Sequence, residues 1–345
     1  MSKERNPIVD IMRGIAILMV VLGHTMTGCT QNAEKSFLYN IVWSLQMPLF
    51  ILISGYVTKY SREIDSVSSL WNYLKRRTIS YLLPWAVWSF LIHGFIIGQH
   101  NYLNIRWMMW HMDSGYWFLA TIWTISMIFG FARFLAVKAS KHDGIKRQIV
   151  FLLLYVTGMA LLAVIGKFEG LSFLAIKLTL YYMPFYYAGY LFGVYRERIL
   201  SDSLGKKAVD VTVAVCGIVW IYLLTRYHIF ELEDGGISLI IRATASMTGC
   251  IAVCGLCSAL LSDRALDSKT STAIVWVGTH SLEIYLAHYI FLDLMKAGKT
   301  PVFNSVSGAS LTVVNWIIAI AAVTGLILLT EKNSFFKFGL YGRKK

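Results

Sequence analysis

The chain has 345 residues, 57% of them hydrophobic and only 15% charged, against about 25% charged in soluble domains. That composition excludes a soluble globular protein and leaves no room for a large soluble domain. The net charge of +13 would raise nucleic acid as a partner of a soluble chain; in a membrane chain it follows from topology, and no nucleic-acid partner is expected.

Runs apolar enough to span a bilayer fall at approximately 8–28, 39–58, 78–98, 116–136, 149–166, 172–194, 208–226, 237–261, 273–292 and 310–330, each ~18–25 residues. The expected fold is therefore all-α: one polytopic membrane domain over 1–345 with about ten transmembrane helices. Lys and Arg cluster in alternate loops, at Lys3 and Arg5, Lys59 to Arg77, Lys138 to Arg147, Arg196 to Lys207, Arg264 and Lys269, and Lys332 to Lys345. The intervening loops hold only Lys35, Arg106, Lys167, Arg226, Lys296 and Lys299. This asymmetry predicts both termini in the cytoplasm of a multi-pass plasma-membrane protein. The first run is too long for a cleaved signal peptide and has no small-residue cleavage site after a short apolar core.

The first span, Ile8 to Gly28, carries Asp10, Arg13 and His24. Each is costly in lipid, roughly 2.5–3.5 kcal/mol for Asp or Arg at a helix centre. At ~100° per residue Asp10 and His24 lie within about 40° of each other, and Arg13 and His24 within about 20°, roughly 16 Å apart along the axis. That shared face should line a cavity between helices. Taken singly, Asp10 and Arg13 also suit a helix start, where a side chain snorkels, and His24 suits a bond to a neighbouring helix.

The second span contains Gln46-Met47-Pro48-Leu49-Phe50, then Ser54-Gly55-Tyr56. Pro48 is expected to kink or open the helix, and Ser54 and Gly55 to let another helix approach. Lys75-Arg76-Arg77 precedes a span with Pro84; such a run either anchors the helix on anionic lipid or holds a phosphate-rich ligand. The Gln99–Gly115 segment, with Trp107-Met108-Met109-Trp110, lies in the interface or covers a pocket mouth. His100, His111 and Asp113 flank it without metal-ligand spacing, and no metal site is expected. Trp117-Phe118-Leu119 opens the next span, and Met183-Pro184-Phe185 with Gly189 interrupts the sixth. Lys177 and Arg242 read as snorkelling cations.

Cys250, Cys254 and Cys257 share one face and read as small packing residues or as a metal or redox site. The ninth span carries His280, Ser281, Glu283, Tyr285 and His288. An ionisable Glu283 in mid-membrane is a functional or ion-pairing candidate, with a buried Arg as one partner. Ser281, Tyr285 and His288 share a face within ~40°, while Glu283 lies ~140° from His288.

In this order the motifs resemble membrane acyltransferase family 3, bacterial O-acyltransferases of cell-surface sugars. The resemblance rests on Asp10-Ile11-Met12-Arg13-Gly14 with Gly23-His24, Met47-Pro48-Leu49-Phe50 with Ser54-Gly55-Tyr56, the basic run before Pro84, Trp117-Phe118-Leu119, Pro184-Phe185 with Gly189, and Ser281 to Tyr285 with His288. It implies acetyl-CoA as cytosolic co-substrate and a hydroxyl acceptor, commonly outside the cell, on a surface or lipid-linked glycan. It further implies that His24 acts as base or carries the acyl group, that Arg13 orients the donor or stabilises charge while Asp10 holds Arg13, and that Lys75, Arg76 and Arg77 bind the donor's phosphates. Glu283, His288, Tyr285, Trp117 and Gln46 are the candidate pocket residues. Members often carry a second Arg a turn beyond the basic run, and Thr78 to Tyr81 supply none. No fused esterase-like domain is expected, so the chain acylates its acceptor itself or passes the group to a partner. Membrane lipid is a further expected partner, and a homo-oligomer is compatible with the sequence. A glycan transporter or flippase explains a polar cavity and Pro/Gly-broken spans equally well, and a non-catalytic scaffold leaves the buried ionisable residues unexplained.

Overall fold

The computed structural model describes residues 6–112, 115–140, 144–261, 266, 268–292, 294–295 and 300–343. Asp113, Lys141, Arg264 and the charges at Lys3, Arg5, Lys296, Lys299, Lys344 and Lys345 lie outside the described residues. The fold is all-helical. In chain order the α-helices are α1 (Pro7–Cys29), α2 (Phe37–Tyr56), α3 (Val67–Ala86), α4 (Ile105–Trp110), α5 (Trp117–Ala139), α6 (Ile145–Glu169), α7 (Ile176–Ile199), α8 (Ser203–Arg226), α9 (Gly236–Leu260), α10 (Lys269–Thr279), α11 (Ser281–Ala287), α12 (Val306–Thr330) and α13 (Ser334–Tyr341).

Among the described residues, eight helical spans are long and apolar enough to cross a membrane: α1, α2 with its extension to Tyr60, α3 with its continuation to Ile96, α5, α6, α8, α9 and α12. The expected runs at 172–194 and 273–292 are helical too, but neither qualifies alone. Tyrosines and terminal charges dilute the apolarity of α7. The second run is broken at His280 into α10 and α11 and finishes as a 3-10 turn, His288–Phe291.

The chain divides into two compact units, 1–59 with 187–329, and 60–186 with 330–345. In the first, α1 starts where its sequence says it should. Asn6 accepts a hydrogen bond from the Ile8 amide at 3.0 Å, Pro7 occupies the first turn, and Asp10 follows within it. An Asx cap, a proline with no amide to satisfy and an early carboxylate are helix-start chemistry. Pro48 sits inside α2 without ending it. A buried Asn40 on α2 closes the loop after α8: Nδ2 donates to the carbonyls of Leu224 (3.0 Å) and Tyr227 (2.7 Å), and Oδ1 accepts from the Ile229 amide (2.8 Å). Arg242 completes this loop. It donates to the carbonyls of Ile229 and Leu232 and pairs with Asp234, so it caps backbone where snorkelling was one expectation.

In the second unit, Phe129 packs edge-on against Phe151 and Tyr186, and the Tyr155 hydroxyl donates to the Met183 carbonyl at 3.0 Å. Arg147 pairs with Glu63. After Pro84, α3 continues as a π-helix, Val87–Ile96. The helix α13 ends at Gly342, whose positive φ of 65° lets it close against the Ile79 carbonyl.

Candidate active site

The site begins with two glycines. Gly14 follows Arg13 and Gly278 lies in the last turn of α10. A Cβ on Gly278 would overlap the Asp10 carbonyl, and one on Gly14 would meet Ile274. Only paired glycines let the α1 and α10 backbones come this close. From this crossing the 278–289 segment follows α1 from Asp10 at one end to His24 at the other.

At the first end Arg13 Nη1 lies 3.4 Å from Asp10 Oδ1, one helical turn back. Asp10 is buried and Arg13 half-buried. Breaking the helix at His280 starts a new one, and Glu283 falls in its first turn, fully buried. Such an irregular segment at membrane depth is tolerated where protein encloses it. The break is stabilised locally: the His280 ring stacks on Trp276 at 4.2 Å and its Nδ1 bonds the Trp276 carbonyl at 2.8 Å.

At the far end His24 meets two rings. Its Nε2 shares a 2.9 Å hydrogen bond with the Tyr289 hydroxyl. The centroids of His288 and Tyr289 lie 5.3 Å and 4.7 Å from that of His24. His288 is buried, with Nδ1 bonded to the carbonyls of Tyr285 (2.7 Å) and Ile284 (3.1 Å). A carbonyl only accepts, so Nδ1 carries the proton and Nε2 is an acceptor. Among the described residues His288 Nε2 is buried with no hydrogen-bond partner. Gln46 Oε1 is in the same state, and it packs over Gly23, 3.1 Å from where a Cβ there would stand. The bare His288 acceptor sits beside His24, and Gln46 holds a second against the adjacent Gly23; each suits a ligand that brings hydroxyl or amide protons.

The first unit thus gathers Asp10, Arg13, His24, Gln46, Glu283, Tyr285 and His288. The second holds the others. Lys75 and Arg76 are exposed. Arg77 is not: its guanidinium lies over the rings of Tyr73 (5.3 Å) and Tyr81 (5.9 Å), and Nη1 donates to the Tyr81 hydroxyl at 3.0 Å. Trp117 stacks on Tyr182 at 5.6 Å and, half-buried, packs against the cluster of Met112, Ala120 and Ala175. Sequence reasoning passed over Tyr289. Its only signal was a polar ring next to His288. Among the described residues no group of three His, Cys, Asp or Glu side chains is placed to hold a metal.

The model of an acyltransferase domain, that of acyltransferase family 3, matches residues 6–332. No curated protein and no solved structure gives a significant match. The match covers the whole run from the Asn6 cap through α12, including every residue gathered at His24, and on it the chain belongs to acyltransferase family 3.

Proposed function

We propose that the protein moves an acyl group, acetyl by default, from cytosolic acetyl-CoA to a hydroxyl of a cell-surface or lipid-linked glycan, in the plasma membrane. The observation that carries this is the His24 cluster: a base tied to Tyr289, the bare His288 acceptor beside it, and Arg13 with Asp10 on the same helix.

In this scheme Nε2–H of His24 donates to the Tyr289 oxygen, so Nδ1 is the base. The acceptor hydroxyl gives its proton to Nδ1 as its oxygen attacks the thioester carbon. The tetrahedral intermediate collapses, the C–S bond breaks, and the imidazolium returns the proton to the leaving thiolate. The products are the acyl ester and free CoA. Arg13, at the other end of the same face of α1, orients the donor's arm, with Asp10 fixing its guanidinium. The bare acceptors Gln46 Oε1 and His288 Nε2 suit the amide protons of a pantetheine arm or the acceptor's hydroxyls. Lys75 and Arg76, exposed and adjacent, take the donor's phosphates with Arg77 beside them. Glu283 and Tyr285 support the wall from which His288 projects.

The test is transfer of label. Purified protein in liposomes receives radiolabelled acetyl-CoA on the face bearing the basic loops and a mixed glycan extract on the other. Label in the glycan is the expected result. Neither consumption nor binding of the donor would instead favour a glycan transporter.

A further inference from the structure

The helix α12 supplies no group to the chemistry at His24, yet it holds both of the segments that meet there. Its buried face reads Gly308, Thr312, Asn315, Ala319, Val323 and Ile327, the spacing of one helical stripe. Two of these residues carry polar side chains. Thr312 is satisfied within its own helix, donating to the Gly308 carbonyl at 3.0 Å. Asn315 is fully buried and reaches outside it. Its Oδ1 accepts from the Met295 amide at 2.9 Å, and its Nδ2 donates to the Met295 carbonyl at 3.1 Å. One carboxamide thus pairs both backbone groups of one residue, as the opposed residue of an antiparallel strand pair does.

What this grip holds is backbone. Leu294 and Met295 are 53% and 51% exposed, so burial of their side chains against the protein does not fix the segment. Just before them comes the 3-10 turn His288–Phe291, whose hydrogen bonds have poorer geometry than those of an α-helix. That turn carries His288 and Tyr289, the two rings against His24. The chain leaving it is tied twice: Cys29 Sγ donates to the Leu292 carbonyl at 3.2 Å, and Asn315 holds Met295. The next residue on α12 holds the other partner. Trp316 Nε1 donates to the Leu18 carbonyl at 3.1 Å, on α1 and six residues before His24. Adjacent residues of one helix therefore anchor the backbone on either side of the His24–Tyr289 bond.

We infer that Asn315 is a positioning residue: by fixing the backbone at Met295 it sets the Tyr289 hydroxyl against His24. It acts through Tyr289 and touches no reacting atom. Its effect on transfer rests on the reaction proposed above; its placement of Tyr289 does not.

The test uses the full chain in lipid nanodiscs. Fluorine NMR reads 3-fluorotyrosine incorporated in place of Tyr289, and acetyl transfer is assayed on unlabelled protein. Asn315→Leu keeps a side chain of similar size and removes both bonds. Asn40→Ala is the matched control, because it removes the same kind of carboxamide clamp from the loop after α8. The resonance at 289 should move in Asn315→Leu and in His24→Ala, and stay in place in Asn40→Ala. In the assay Asn315→Leu should lower kcat about tenfold with the KM for acetyl-CoA unchanged, and Asn315→Leu with Tyr289→Phe should lose no more than either change alone. Asn315→Ser, too short to reach Met295, should give the same results if leucine blocks folding. An unmoved resonance in a folded Asn315 variant, or losses that multiply to about a hundredfold in the double variant, would overturn the inference. So would failure of both Asn315 variants to fold while Asn40→Ala folds, which would make Asn315 a structural residue. A resonance that follows the variants in a protein without acetyl transfer would uphold the placement of Tyr289 and remove the acyltransferase chemistry instead.

Discussion

His24 and Tyr289 stand 265 residues apart in the chain and share a hydrogen bond of 2.9 Å. The bond occupies Nε2 and leaves Nδ1 as the second ring nitrogen. Tyr289→Phe keeps the ring and removes the hydroxyl. It should lower kcat about tenfold, the worth of one hydrogen bond to an ion that forms in the reaction, with the apparent KM for acetyl-CoA unchanged. Steady-state kinetics of variant and wild type decide it. A wild-type kcat would take Tyr289 out of the mechanism.

Arg13 and Asp10 are expected to differ in weight. Arg13→Gln removes the cation that orients the donor and should cost about a hundredfold in kcat/KM for acetyl-CoA. Asp10→Asn keeps a hydrogen-bonding partner 3.4 Å from Arg13 and should cost about tenfold. Equal losses would mean that the pair acts only as a structural unit.

The basic run should split. Neutralising Lys75 and Arg76 together should raise the apparent KM for acetyl-CoA about tenfold, and more salt should shrink the difference from wild type. Arg77→Gln instead removes the cation held over Tyr73 and Tyr81. That change should lower the thermal midpoint of the purified protein, in line with about 1–2 kcal/mol for a desolvated cation–π contact. An unchanged KM in the double variant would assign Lys75 and Arg76 to topology alone.

Asn40→Ala tests the loop clamp. The change strips partners from two carbonyls and one amide, two of these contacts being buried. At about 1–3 kcal/mol for an unsatisfied buried group, the variant should unfold at clearly lower temperature while each folded molecule keeps wild-type kinetics. Altered KM values with unchanged stability would contradict a purely structural Asn40.

Much of this was legible because an α-helix fixes phase. Asp10, Arg13 and His24 fall on one face by arithmetic alone, and the capping of α1 by Asn6 and Pro7 follows local rules. Tyr289 was not legible, because an α-helical count through the ninth run rotates it about 100° from His288. A 3-10 turn there spreads the two to about 120°, and both rings still reach His24, a tertiary contact that phase alone does not carry. The break at His280 was hidden for a related reason: apolarity continues across it, while the Trp276–His280 stack that stabilises it is a tertiary detail. The π-helix after Pro84 carried no signal beyond the proline. Arg242 looked like a surface anchor because the carbonyls it caps belong to a loop whose shape only the fold defines.

The most direct test of the central claim is acetyl transfer by wild-type protein and His24→Ala, reconstituted at equal abundance and assayed with labelled acetyl-CoA and the glycan extract. Label reaching glycan with wild type and none with His24→Ala is the predicted result. Transfer retained by His24→Ala would contradict the assignment of His24 as the base.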